Sequence, residues 1–179
     1  MELTTEYIIS QVLTIITYIL LAMTYYAKDR KIVLIISFLS LISNAIAYSF
    51  LFAYTGVAMC VIAIIRNIIF LIDEKKNGKN DQITKKDIAI LIVLFLITII
   101  STVFTYEGLL SLLTVIATML YTYSVWQKKT SIYKFLGIPI GILLVSYNFY
   151  VKSIFGVILE AILLVCSTTG YILEKRKNK

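Results

Sequence analysis

The sequence predicts an all-α membrane protein of seven transmembrane helices, organised as two parallel three-helix repeats joined by a linker helix. Three observations carry that reading: long runs almost free of charge, basic residues confined to alternate connections, and self-similarity at an offset of 100 residues. The chain of 179 residues is 60% hydrophobic and 15% charged, with one proline. Soluble domains average roughly 45–50% apolar and about 25% charged. The excess falls into runs of roughly 17–21 residues, the length a helix needs to cross hydrocarbon about 30 Å thick. Each run is continuously apolar, without the alternation of a barrel strand. A helix satisfies its own backbone in lipid, so each run is assigned as helix.

The spans are 7–27, 32–51, 55–72, 88–104, 108–126, 135–151 and 153–173. The first follows an acidic start, MELTTEY, with no basic segment before it and no small-residue cleavage site after it. It is therefore expected to stay as a helix. Between the spans, Lys28, Arg30 and Lys31 share one loop, and Lys75, Lys76, Lys79, Lys85 and Lys86 a second. Lys128, Lys129 and Lys134 share a third, and Lys175, Arg176, Lys177 and Lys179 the tail. Seven crossings put all of these on one side and leave Lys152 on the other. The positive-inside rule then sets the N-terminus outside and the C-terminus in the cytoplasm. Net charge +7 thus reads as an orientation signal and not as a nucleic-acid footprint. The stretch 73–87, DEKKNGKNDQITKKD, reads as a mobile linker too short for a domain.

Displacing the chain by 100 positions lays span one on five, two on six and three on seven without a gap. LTIITYILLAMTYYAK (13–28) meets LTVIATMLYTYSVWQK (113–128), and Gly56-Val57 meets Gly156-Val157. Residues 1–72 thus form the first repeat, 73–107 a basic loop and linker helix, and 108–179 the second repeat with a basic tail. One crossing between two three-helix units returns the second to the orientation of the first. The repeats are then parallel about an axis along the membrane normal, as in sugar-exporter-type transporters.

Polar and small residues recur at helical spacing and are expected to face inward. Span one carries Gln11, Thr14, Tyr18 and Tyr25, and span five Ser111, Thr114, Thr118 and Tyr121. Span two carries Ser37, Ser40, Asn44 and Tyr48, and span six Asn148. Span three has Gly56, Cys60, Ala63 and Asn67, and span seven Ser153, Gly156, Glu160, Ser167 and Gly170. Close helix packing accounts for many of these, Gly56 and Gly156 above all. A stripe present in both halves also suits a polar pathway, lined by Asn44, Tyr48, Asn67, Asn148 and Glu160.

Two ionisable residues lie within spans. Glu160 sits about 10 Å deep, beyond the reach of a short side chain to water. A carboxylate there costs at least about 2.5–3.5 kcal/mol unless it is paired, hydrated or protonated. It reads either as half of an ion pair that fixes helix register, or as a group that binds solute or carries a proton. Arg66 either extends to the interface or serves Glu160 as charge partner. Pro139, in LGIPIGI, marks a kink in span six. Trp126 and Tyr123 read as interfacial anchors. Cys60 and Cys166 lie within apolar runs and are expected to be reduced. The sequence has no histidine, which removes histidine metal sites and proton relays. With one carboxylate in the spans, no catalytic constellation, metal site or cofactor is expected.

The segment YNFYVKSIFGVILEAILL (147–164) resembles the last hairpin of the YgjV-type bacterial inner-membrane proteins. The matching pattern falls on Asn148-Phe149, Ser153-Ile154, Gly156 and Glu160. IAIIRNIIFLI (62–72) is similar to that family's third helix, with Arg66 in the matching place. The resemblance implies a multi-pass protein of the bacterial plasma membrane. It also implies kinship with the group of SWEET, PQ-loop and PnuC-type transporters, although the chain has no Pro-Gln pair. The expected function is transport or facilitated passage of a small polar solute, through a midplane site between two rocking repeats. The lipid bilayer and that solute are the expected partners, and a homodimer stays open. The alternative is a non-transporting subunit or scaffold for a partner protein.

Overall fold

A computed structural model describes residues 5–52, 54–77, 83–105, 111–150 and 152–177. Seven α-helices run through the described residues: α1 Thr5–Thr24, α2 Arg30–Phe50, α3 Tyr54–Asn77, α4 Lys85–Thr105, α5 Ser111–Trp126, α6 Thr130–Tyr150 and α7 Ile154–Lys177. Every expected span coincides with one of them. Among the described residues, α1, α2, α6 and residues Ile154–Arg176 of α7 are long and apolar enough to cross a membrane. Helix α5 is apolar over Leu112–Trp126 but shorter. The start expected for span five, 108–110, and the middle of the 73–87 linker, 78–82, lie outside the described residues.

Several helix ends run beyond the hydropathy runs. Helices α3 and α7 continue past the apolar stretch to Asn77 and Lys177, and α6 begins at Thr130 instead of 135. Hydropathy marks the part of a helix suited to hydrocarbon, whereas hydrogen bonding carries the helix on into the polar zone. The 73–87 segment is accordingly not all linker: Asp73 and Glu74 are helical, and the second helix of the pair starts at Lys85. That start is capped reciprocally. The Thr84 backbone N–H donates to Asp87 Oδ2 over 2.8 Å, and the Asp87 N–H donates to the Thr84 hydroxyl over 3.3 Å. At the other extreme α1 stops early, and Tyr25, Tyr26 and Ala27 close it with bonds to carbonyls three residues back.

The chain divides into two compact units, one holding α1–α3 and the other α4–α7. In the first, α2 packs along both α1 and α3. In the second, α6 packs along both α5 and α7, and α4 along α5. The middle helix of each set therefore contributes two faces to the interior. In α2 these faces are small and polar, with Ser37, Ser40, Ser43 and Ala47 all buried. In α6 they are built on glycine, with Gly137 and Gly141 buried on either side of Pro139. A Cβ at Gly141 would stand 3.0 Å from Leu164 Cβ, so α7 approaches α6 more closely there than a larger residue permits. Pro139 is accommodated inside a helix that runs on to Tyr150. With no N–H, it leaves the Phe135 carbonyl without its usual helical donor.

The last two helices of each unit share their bounds at an interval of 100. Helices α2 and α6 start and end 100 residues apart, and so do α3 and α7. The only positive-φ residues other than glycine among the described residues are Phe52 (55°) and Lys152 (58°), again 100 apart. Each donates its backbone N–H to the carbonyl three residues back, Ser49 and Phe149 respectively, over 3.2 Å. At the second of these turns, Asn148 Oδ1 lies directly over Gly156, and a Cβ on residue 156 would overlap it. Gly156→Ala is therefore expected to destabilise the protein by about 1–3 kcal/mol, the usual cost of overpacking. Adding Asn148→Ala should recover part of that loss, as read by thermal unfolding in detergent.

Candidate functional site

Polar groups inside a membrane helix need partners that lipid does not offer. In the first unit they find them along the seam between α2 and α3. Three pairs step down it at intervals of seven residues on both helices: Arg30 with Glu74, Ser37 with Asn67, and Asn44 with Cys60. Arg30 Nη1 lies 2.6 Å from Glu74 Oε2. Asn67 Nδ2 donates to the Ser37 hydroxyl over 3.0 Å, and Asn44 Nδ2 to Cys60 Sγ over 3.6 Å. Seven residues is two turns of a helix in a left-handed pair, so one stripe of each helix faces the other throughout. Tyr48, one turn beyond Asn44, shares a hydrogen bond with the Asn44 side chain.

Two of the expected pathway residues, Asn44 and Tyr48, thus fall into one cluster with Cys60. Asn67 and Arg66 fall into a second, about two helical turns away. Asn67 is fully buried, and its Oδ1 accepts a bond of 3.5 Å from Arg66 Nε. Arg66 is 5% exposed, so its side chain does not run out over the open helix surface toward the interface. Serine and threonine close the opposite face of α2 onto α1. The Ser43 hydroxyl donates to the Leu13 carbonyl over 2.9 Å, and the Thr17 hydroxyl reaches both the Leu13 carbonyl (2.9 Å) and the Ser40 carbonyl (3.4 Å).

The second unit repeats the frame with different side chains. The Thr130 hydroxyl donates to Glu174 Oε1 over 3.0 Å, and Lys134 Nζ lies 2.6 Å from Glu174 Oε2. The fully buried Ser167 donates to the Lys134 carbonyl over 2.8 Å. Glu160 is 7% exposed and stands in α7 where α3 has Cys60. Leu144 of α6 stands where α2 has Asn44, so the amide that serves Cys60 has no counterpart at that position. Asn148 does not line the interior in the way Asn44 does: its amide donates to the Leu144 carbonyl over 2.9 Å, and its oxygen covers Gly156 near the turn. Gly56 lies in the first turn of α3, and its surroundings lie outside the described residues.

At the other end of the second unit, Trp126 is 8% exposed. Its indole N–H donates to the Asp87 carbonyl over 3.0 Å, and Lys128 Nζ lies 3.9 Å from Asp87 Oδ2. The residue expected to anchor at the membrane interface instead fastens the start of α4 to the end of α5, and Tyr123 lies against its ring at 5.7 Å.

Sequence reasoning missed several participants. On α1 the buried polar residues are Ser10, Thr17 and Thr24, whereas of the expected stripe of Gln11, Thr14, Tyr18 and Tyr25 only Tyr25, just past the helix end, is buried. A threonine in a helix satisfies its own hydroxyl on a carbonyl one turn back, as Thr14 does on Ser10 at 2.9 Å. Polarity therefore does not decide its facing. The usable signal was the seven-residue interval of 10, 17 and 24. Ser111 of the corresponding stripe in α5 has a side chain outside the described residues. Among the described residues no group of three metal-ligating side chains stands close enough to hold an ion. The polar clusters offer hydrogen bonding and charge.

A family model for a bacterial inner membrane protein, Imp-YgjV, matches residues 8–177. The chain belongs to the YgjV family of bacterial inner membrane proteins. The match spans all seven helices and places the protein in the inner membrane, in keeping with the four helices able to cross it. No curated protein and no solved structure matches the chain.

Within this family member the Ser37–Asn67 bond joins two fully buried groups. Asn67→Leu is expected to cost about 1–3 kcal/mol, because it leaves Ser37 and Arg66 short of a partner. Ser37→Ala removes a smaller group and is expected to cost less. Chemical unfolding in detergent measures both. Trp126 is the only tryptophan, so its fluorescence reports the α4–α5 joint alone. Low quenching by aqueous iodide is the expected result, and ready quenching would show the indole open to water.

Proposed function

We propose that the protein carries a small polar solute across the bacterial inner membrane, using two parallel three-helix repeats joined by α4. The N-terminus lies outside and the C-terminus in the cytoplasm. The observation that carries the proposal is the burial of two ionisable residues, Arg66 and Glu160, in the helices of an inner-membrane protein. Charge in such helices is costly, and membrane proteins that keep it commonly use it on a solute or ion path. The recurrence of helix bounds and left-handed turns at an interval of 100 supports the repeat. The distribution of lysine and arginine supports the orientation. Asn44, Tyr48 and Asn67 supply hydrogen-bonding groups for an uncharged polar part of the solute, and Glu160 couples a proton or meets a cationic part.

Thermal unfolding of the purified protein against a panel of polar metabolites tests the reading. A ligand at 100 times its dissociation constant stabilises by about 2.7 kcal/mol, which is readily measured. A metabolite that raises the melting temperature of the wild type but not of Glu160→Gln is the expected result. If no metabolite acts, and Glu160→Gln and Arg66→Ala both melt far below wild type, the two charges are structural and the transport reading fails. The orientation is checked separately in intact cells. A membrane-impermeant thiol reagent should label Lys152→Cys and leave Lys175→Cys unmodified, in a background lacking Cys60 and Cys166.

A further inference from the structure

Glu74 and Glu174 stand 100 positions apart, near the ends of α3 and α7 respectively. Each reaches back to the first residue of the preceding helix, Arg30 at 2.6 Å in one case and Thr130 at 3.0 Å in the other. The cation differs. In the first unit it is Arg30 itself, with Asp73 Oδ2 at 3.9 Å and its guanidinium carbon 5.7 Å from the centre of the Phe70 ring. In the second unit the first position holds neutral Thr130, and the cation is Lys134, one turn further along α6. The position of Lys134 is held in the first unit by the fully buried Leu34, and that of Phe70 in the second by the buried Gly170. Cation and bulk have changed places together while the carboxylate has stayed.

We propose that Glu74 and Glu174 are clasps that fix the register of α3 on α2 and of α7 on α6, and that each accepts its cation from either of two positions, 30 or 34 in the first unit and 130 or 134 in the second. Residues four apart on a helix share a face, so side chains from both positions reach the same carboxylate on the neighbouring helix. The carboxylates are 17% and 20% exposed and the cations 6%, so the pairs are screened far less than surface pairs are. Sliding α7 along α6 by one turn, about 5.4 Å, would part Glu174 from one of Lys134 and Thr130 whichever way it moved, so both contacts are kept only in the observed register. This role is independent of whether the protein carries a solute.

The test moves the cation of the second unit to the place it has in the first. Melting temperatures are compared for full-length wild type, Lys134→Leu, Lys134→Leu with Thr130→Arg, and Lys134→Leu with Thr130→Gln. Each is made with Glu174 and with Glu174→Gln. Lys134→Leu should lower the melting temperature by roughly 4 °C or more. Thr130→Arg should restore at least half of that loss, Thr130→Gln should not, and the restoration should vanish with Glu174→Gln. If Lys134→Leu alone fails to fold, recovery of folded protein by Thr130→Arg and not by Thr130→Gln gives the same answer. An arginine no better than glutamine, a rescue that survives the loss of Glu174, or no loss in Lys134→Leu would each overturn the proposal.

Discussion

The antiparallel seams between α2 and α3 and between α6 and α7 are the constraint on which the remaining structure depends. Lipid offers no hydrogen bonds, so a polar side chain at membrane depth is tolerable only where another polar group meets it. In the first unit the seam supplies that meeting at every second turn, through Arg30–Glu74, Ser37–Asn67 and Asn44–Cys60. A slip of one residue would turn all three pairs off the seam together. The polar pairs therefore do what shape alone does poorly between two helices rich in isoleucine and leucine. They give one register a lower energy than its neighbours, as a single polar layer does in coiled coils.

Where the second unit departs from that pattern, the departures are compensated locally. Glycine replaces serine at residue 137, and the Ser167 hydroxyl turns to the Lys134 carbonyl. Contact between α6 and α7 is then set by steric approach, at Gly141 against Leu164 and at Gly156 under Asn148. The first unit is knit by evenly spaced side-chain pairs, whereas the second combines the Glu174 contacts and the Ser167 bond with close helix approach at Gly141 and Gly156. Glu160 sits within the second, more apolar seam, at the position that Cys60 has in the first.

Seven helices were legible in the sequence because hydrophobic length and self-satisfied backbone leave no alternative in a bilayer. The helix ends were less legible. Thr130 to Lys134 is mostly polar and Asp73 to Asn77 wholly so, and nothing in their hydropathy says that the helix includes them. The facing of α2 was read correctly at Ser37 and Ser40, where small and polar coincide, and missed on α1, where Thr14 bonds to its own helix and Thr17 faces the neighbour. Of the candidate site residues, Asn44, Tyr48, Asn67 and Arg66 gather within the first unit. Asn148 is drawn instead into the α6–α7 turn, because the close approach of Gly156 gives its oxygen a place to lie. That approach depends on backbone geometry a single sequence does not display.

The left-handed residues Phe52 and Lys152 have a consequence for how the chain enters the membrane. Neither is glycine, and a left-handed backbone costs such residues roughly 1–2 kcal/mol. Each is held in that conformation at the tip of two helices that share a seam. With only residues 51–53 between α2 and α3, and 151–153 between α6 and α7, the second helix of a pair has no slack to wait outside while the first crosses. Alone in lipid, α3 would expose Asn67 and Arg66 to hydrocarbon. With the N-terminus outside as proposed, the least costly route for the nascent chain is to insert each pair as a preformed hairpin, with Ser37 already opposite Asn67 as the tip crosses the bilayer.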